Sequence, residues 1–313
     1  MIIITYKPGR LANQLFYFTH FASGVLNSKT KMISYSIAEM KAGFPNLNNE
    51  FLKKMSDGQF RIGQSSISYF VNRLLFSLGK RIKNPWIKTI TVGWEESKYV
   101  QEVISLSSSG KTRVYVDGWK FRDYESEIQW QHLFKKIFMP ADYAVKYVNN
   151  LLKKNNDENN IVIGVHIRLT DYYRFCNRKF FYSSQQYLSV MKQARELFPD
   201  KKIKFMLCSD ENINESDYSD VDFFCSRGDE LCDLYALSRC NYIMGPPSTY
   251  SAWAAYFGDI PLYIIENPEN KIRLESFKKG GIKNYDEVIS KTFIEALRLQ
   301  EKGFFAEVTK PRD

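Results

Sequence analysis

The five cysteines (Cys176, Cys208, Cys225, Cys232 and Cys240) are odd in number, confined to the second half and never spaced as C-x-x-C. That argues against a disulfide framework or a structural zinc site and leads us to expect free thiols in a reducing compartment. No run of about 18 apolar residues occurs, so a spanning helix is not expected. The opening Met1-Ile-Ile-Ile-Thr-Tyr6 is short for the apolar part of a secretory leader and has no basic residues ahead of it. A cytoplasmic protein is therefore expected. Acidic residues are missing from Gly58 to Trp94, where Arg61, Arg73, Lys80, Arg81, Lys83 and Lys88 stand in a chain of net charge +9. Such a block suits nucleic acid, anionic lipid or an anionic substrate. No nucleic-acid-binding motif accompanies it, so nucleic acid ranks last. No cluster has metal-ligand spacing, and no Asp-x-Asp stands at the carboxyl end of a predicted strand. Neither a metal nor another cofactor is expected.

What is present is ordinary globular composition, 44% hydrophobic and 25% charged over 313 residues, enough for two domains. Aromatics are abundant at 15%, which suits gripping sugars or flat rings, although most such rings serve cores and surfaces. The first half opens with a strand, Ile2 to Thr5, a loop through Pro8 and Gly9, and an apolar helix from Leu11 to Leu26. That is the first unit of a doubly wound domain. Ile67, Phe70, Val71, Leu74, Leu75 and Leu78 keep helical rhythm, and Val114 to Trp119 reads as a strand and turn. Pro140 suits a first helical position, opening a helix with Ala144, Val145, Val148, Leu151 and Leu152 on one face. The polar, Asn-rich stretch Lys153 to Asn160 is the best boundary, giving domains 1–155 and 156–313, with the tail free to return to the first. Beyond it, strands at 161–167, 203–208, 221–224, 242–245 and 261–265 alternate with helices near 183–198, 229–240 and 250–257. That alternation implies a parallel sheet with right-handed crossovers.

Ile161 to Ile167 is β-branched and apolar, like a strand covered on both faces. It delivers His166, Arg168 and Asp171 to the carboxyl end, where open α/β sheets bind ligands. Arg168 offers a donor fork that fits phosphate or carboxylate. Alone, H-x-R-x-x-D is more often a strand end closed by a surface Arg–Asp pair. Its company changes the weight. Ser209-Asp210-Glu211 follows the strand ending at Cys208. Pro246-Pro247-Ser248-Thr249-Tyr250-Ser251 follows Gly245 and leads into Ala252-Trp253-Ala-Ala. A hydroxyl-rich helix entry is commonly a plain N-cap, but beside Arg168 it makes a metal-free diphosphate clamp.

These motifs, with Asp233 ahead of Gly245 and with Gly9-Arg10-Leu-Ala-Asn13-Gln14-Leu-Phe16 near the start, resemble the ordered motifs of the GDP-fucose-dependent α-1,2-fucosyltransferases. The likeness is greatest to the bacterial enzymes of glycosyltransferase family 11. It implies an α/β, GT-B type fold with two Rossmann-like doubly wound domains facing across a cleft, the donor held mainly by the second. It implies metal-independent inversion, L-fucose passing from GDP-β-L-fucose to a galactose-type hydroxyl of a surface glycan, possibly lipid-linked. By motif position Arg168 would hold the β-phosphate, while His166 and Asp233 would address ribose and guanine. Ser248 and Thr249 would complete the phosphate contacts, with Pro247, Tyr250 and Ser251 beside them. Ser209, Asp210 and Glu211 would line the nucleotide pocket. Gly9, Arg10, Asn13 and Gln14 would face sugar and diphosphate from the opposite wall, Asn13 counting with Arg168 as catalytic.

The chain departs from the family's H-x-R-R-x-D at Leu169, where a second Arg is usual, and Thr170 follows. Neighbouring strand residues point to opposite faces, so Leu169 could simply pack. Pro247 and Ala252 are further departures. Asp171 is the acid within the first motif and the candidate base, but an Asp beside an Arg loses basicity. Asp233 reads equally well as an exposed helical residue. Two alternatives stay open: another sugar-nucleotide transferase on the same fold, and a non-catalytic GDP- or glycan-binding relative. For the acid-free segment 58–94, peripheral membrane contact is the lesser reading. The greater is that Ile67 to Leu78 packs into the first domain's core while the basic residues solvate its edge.

Overall fold

The computed structural model describes residues 1–82, 84–93, 98–107, 110–118, 120–155 and 160–301, with side chains described up to 292. Lys83, Trp119 and part of the Asn-rich stretch lie outside them. The chain forms two compact units, Met1–Ala141 and Asp142–Asp313.

In the first unit the all-buried strand β1 (Ile2–Ile4) enters α1 (Leu11–Leu26) through a loop in which Gly9 has φ +48°. A Cβ there would lie 2.4 Å from Asn13 Nδ2, so glycine is required on two counts. β2 (Met32–Ser34), α2 (Asn49–Ser56), β3 (Phe60–Ile62), α3 (Ser66–Arg81) and β4 (Ile87–Thr91) follow. Next come β5 (Lys98–Tyr99), α4 (Val100–Ser107), β6 (Arg113–Asp117), β7 (Phe121–Arg122), α5 (Tyr124–Gln129) and α6 (Gln131–Ile137). The main sheet is parallel, in the order β3-β2-β1-β6-β4, with β5 and β7 paired apart. α1 is buried along nearly its whole length because it also contacts α4, α5 and β7.

The expectation for α3 is reversed. Ile67, Phe70, Val71, Leu74 and Leu78 are exposed, while Phe76, with Tyr69 and Leu75, packs on a cluster of Ile3, Ile33, Tyr35 and Tyr115. The reason is a polar network on the inner side. Asn72 donates to the Tyr35 hydroxyl at 3.1 Å and accepts from that of Tyr115 at 3.0 Å, and Ser68 bonds Tyr35.

The second unit begins with α7 (Asp142–Asn155), which places the boundary before this helix and not in the Asn-rich stretch after it. α7 packs on α9 (Glu230–Leu237), where Tyr143 donates to Asp229 at 2.9 Å and the Tyr147 hydroxyl accepts the Arg227 N–H at 2.8 Å. Between them lie β8 (Asn160–Ile167), α8 (Ser184–Glu196), β9 (Lys202–Ser209) and β10 (Phe223–Cys225). After α9 come β11 (Tyr242–Gly245), α10 (Thr249–Gly258), β12 (Leu262–Ile264) and α11 (Ile282–Glu301). The parallel order β10-β9-β8-β11-β12 reverses beside β8, the switch point where such sheets bind ligands. The described start of the tail helix α11 packs on α10, within its own unit.

Candidate active site

The carboxyl ends of β8, β9 and β11 bring the second unit's motifs together. Arg168, 9% exposed, follows β8 and donates through Nε and Nη2 to the two oxygens of Asp171 at 2.8 and 3.0 Å. Its Nε also lies 3.1 Å from Asp210 Oδ2. Burial by itself would lower its affinity for a proton, but the hydrogen bonds and charges of Asp171 and Asp210 more than offset this and raise it. The guanidinium is thus a fixed, permanent charge over the Tyr172 ring.

Asp210 holds the turn after β8. Its Oδ1 accepts the Leu169 N–H at 2.8 Å, and its Oδ2 accepts the Thr170 hydroxyl. Register explains the meeting, since Ile167 pairs with Ser209. Glu211 is exposed, its N–H donating to Ser209 Oγ at 3.3 Å.

His166 is buried, with Nδ1 2.6 Å from Ser251 Oγ and its ring tilted on Tyr250 at 5.0 Å. Desolvation, with the charge of Arg168 behind it, pushes its pKa down to about 3, so the ring is neutral. Gly245 is what allows β11 this close: a Cβ there would meet the His166 carbonyl at 2.9 Å. Ser248 caps α10, accepting the Tyr250 N–H at 3.2 Å, and no acid stands in the first turn. The Tyr172 hydroxyl donates to the Pro247 carbonyl and ties the two loops. Thr249 is half-buried at the first turn.

Asp233 lies in the first turn of α9 and is 8% exposed, which settles against an exposed helical residue. Its Oδ1 accepts from Ser226 Oγ at 2.6 Å and the Gly228 N–H at 3.1 Å. Burial raises its pKa to about 6 despite those bonds. Tyr250, whose ring lies against His166, donates to the Glu230 carbonyl at 2.7 Å in the same first turn, which links α9 to the cluster. Sequence reasoning missed Tyr172, Tyr187, whose hydroxyl accepts the Arg168 N–H at 3.3 Å, and Ser226. Tyr172 stands inside the first motif, so it was within reach; the other two had no local signal.

In the first unit, Gln14 Nε2 donates to the Gly9 carbonyl at 2.9 Å, and Arg10 precedes α1 as an exposed residue without a side-chain capping bond. Asn13 Oδ1, Thr5 Oγ1 and the Tyr17 hydroxyl are buried atoms without a hydrogen-bond partner. Among the described residues no group of three or more His, Cys, Asp or Glu is placed to hold a metal ion, and no helix is long and apolar enough to cross a membrane.

Residues 135–280 match the model of glycosyl transferase family 11. This is the family that the motifs resemble, and the matched stretch takes in every second-unit motif. No curated protein sequence matches the chain. Among solved structures, NodZ α-1,6-fucosyltransferase soaked with GDP-fucose is similar with TM-score 0.51 and 15% identity, over 86% of this chain and 97% of that one. Fucosyltransferase NodZ from Bradyrhizobium gives 0.51 and 14%, over 81% and 92%. A FUT1 variant from Arabidopsis thaliana in complex with GDP gives 0.54 and 12%, over 86% and 71%. Identities this low speak for fold and not for residue roles. The fold is the expected α/β, GT-B-like one with two parallel five-stranded sheets.

Proposed function

We propose that this protein is a family 11 glycosyltransferase, an inverting fucosyltransferase that moves L-fucose from GDP-β-L-fucose to a galactose-type hydroxyl in α-1,2 linkage. The observation that carries the reading is Arg168, buried, charged and held by two carboxylates at the switch point of the second sheet, beside the uncapped-by-acid entry of α10. In the reaction the acceptor oxygen bonds to the anomeric carbon from the face opposite GDP. The bond from that carbon to the phosphate oxygen breaks, the acceptor proton leaves to a base, and negative charge grows on the diphosphate. A preorganised guanidinium and the N–H groups of a helix entry stabilise that charge as a metal would. Asp171 and Asp210 then serve as positioning residues. A carboxylate with both oxygens on one guanidinium is a poor proton acceptor, so we assign Asp171 to holding Arg168 and not to the base. Ser248 and Thr249 complete the phosphate site, and Asp233 recognises guanine.

Mass spectrometry of products from GDP-fucose with a panel of β-galactosyl acceptors tests this, with GDP-mannose and UDP-sugars as competing donors. The expected result is one added fucose from GDP-fucose alone, released by a linkage-specific α-1,2-fucosidase. Transfer from another donor would support a different sugar-nucleotide transferase; GDP binding without transfer would leave a binding protein. GDP should raise the melting temperature equally with and without chelator, and an absolute Mg²⁺ or Mn²⁺ requirement would overturn the metal-free clamp.

A further inference from the structure

α3 faces the wrong way for an ordinary surface helix. Its exposed apolar residues fall at i, i+3, i+4, i+7 and i+11 and form one stripe, with Phe70 70% and Leu74 60% exposed. From Ile67 to Leu78 the stripe is about 16 Å long at 1.5 Å per residue, and Ile82 and Trp86, which follow in the chain, are exposed as well. The helix cannot roll to hide it. Asn72 and Ser68 are tied to Tyr35 and Tyr115 beneath, and Gly79 sits so close to β4 that a Cβ would lie 2.8 Å from Ile87. A rigid exposed apolar stripe of this kind marks an interaction site.

The charge around it selects the partner. No acid occurs from Gly58 to Trp94. Arg61, Arg81 and Lys88 are exposed, and Arg73 lies over the Phe76 ring at 5.4 Å. Lys80 is partly neutralised by Asp117 at 3.5 Å. A second copy docking here would bring two basic faces together, whereas an anionic surface complements this one. We propose that the outer face of α3, together with Ile82 and Trp86, docks on an anionic lipid bilayer. Apolar side chains enter the interface and flanking Arg and Lys meet the headgroups, as in interfacial amphipathic helices. This is independent of which sugar the protein transfers.

Flotation of the full chain with phosphatidylcholine vesicles, and with vesicles that also contain phosphatidylglycerol, tests it. Binding should require the anionic lipid, weaken as salt screens it, and drop at least tenfold in a Phe70→Ser, Leu74→Ser variant with an unchanged circular dichroism spectrum. Brominated lipid should quench tryptophan emission in the wild type and not in Trp86→Phe, a readout that does not depend on the double variant folding. Three results would overturn the proposal: no binding to anionic vesicles at low salt, quenching retained in Trp86→Phe, or a wild-type dimer that the double variant turns into a monomer.

Discussion

The two sheets present their carboxyl ends very differently. In the second unit the groups there bond to one another: Arg168 to Asp171 and Asp210, His166 to Ser251, Tyr172 to Pro247. In the first, Thr5, Asn13 and Tyr17 each present a buried oxygen without a hydrogen-bond partner. The sheet orders differ as well. β10-β9-β8-β11-β12 follows the doubly wound order, whereas in β3-β2-β1-β6-β4 the last strand slips in beside the first. The contrast follows from charge. A guanidinium and carboxylates can be buried only in mutual compensation, so the second edge is locked. Neutral hydroxyls and amides tolerate an unmade bond at much lower cost.

The largest break in this comparison is Arg168→Ala. It removes the guanidinium that pairs with both Asp171 and Asp210, and we expect transfer to fall by about 10²–10³, the cost of deleting a preorganised charge-stabilising donor. Arg168→Lys should recover little, since a point charge cannot replace the fork on Asp171. Near-normal turnover in either variant refutes the assignment.

pH separates the units next. His20, wholly buried, has its pKa well below the ordinary range, first through desolvation and then through Arg122. His166 behaves likewise. Their unfolded pKa is about 6.5, so below it only the unfolded chain takes the proton. Stability is full above about 6.5 and falls with acidification by about 1.4 kcal/mol per pH unit for each histidine. Asp233 has the opposite sign. Its folded pKa is about 6 against about 3.9 unfolded, so its contribution is largest at low pH and is lost as pH rises through that window. In the second unit the two effects offset each other; in the first, His20 brings the loss on acidification. Asp233→Asn keeps an oxygen for Ser226 and Gly228 but cannot ionise. Relative to wild type it should gain on the order of 2 kcal/mol between pH 4 and 7 in urea unfolding. A pH-independent difference would show that Asp233 is an ordinary carboxylate.

Asp210→Asn is a smaller disturbance. The amide oxygen can still accept the Leu169 N–H, but the ion pair with Arg168 is gone. A charged hydrogen bond exchanged for a neutral one costs about 1–2 kcal/mol, so we expect roughly tenfold slower transfer, less than for Arg168→Ala. A loss equal to that of Arg168→Ala would make Asp210 more than a positioning residue.

The same contrast explains what could be read from sequence. β8, α8, β9, β11 and α10 are found within about two residues of their expected places, because a β-branched run and capped helices are local signals. The Arg168–Asp171 pair was legible at a separation of three. The grip of Asp210 on Leu169 and Thr170 was not, because it depends on the register of β8 against β9. In the first unit β2 and β3 are three residues each and carry little periodicity. α3 has the expected helical rhythm but the opposite facing, since Asn72 and Ser68 find partners inside that a hydropathy pattern cannot show.

The smallest effect tests the unlocked edge. The Tyr17 hydroxyl is buried and unpaired, its pKa pushed up by desolvation and then by the nearby charge of Asp117. A hydroxyl that gave up its hydration without gaining a bond contributes nothing favourable, and its removal leaves the ring contacts with Phe21 at 5.2 Å and Phe121 at 6.1 Å in place. Tyr17→Phe should therefore match or exceed wild-type stability by up to about 1 kcal/mol. The equivalent deletion on the locked edge, Tyr172→Phe, removes a bond to the Pro247 carbonyl and should cost about 1 kcal/mol or more. Differential scanning calorimetry of the two variants side by side measures the difference between the edges. Equal destabilisation by both would mean that Tyr17 is bonded after all and that the contrast between the units is one of charge alone.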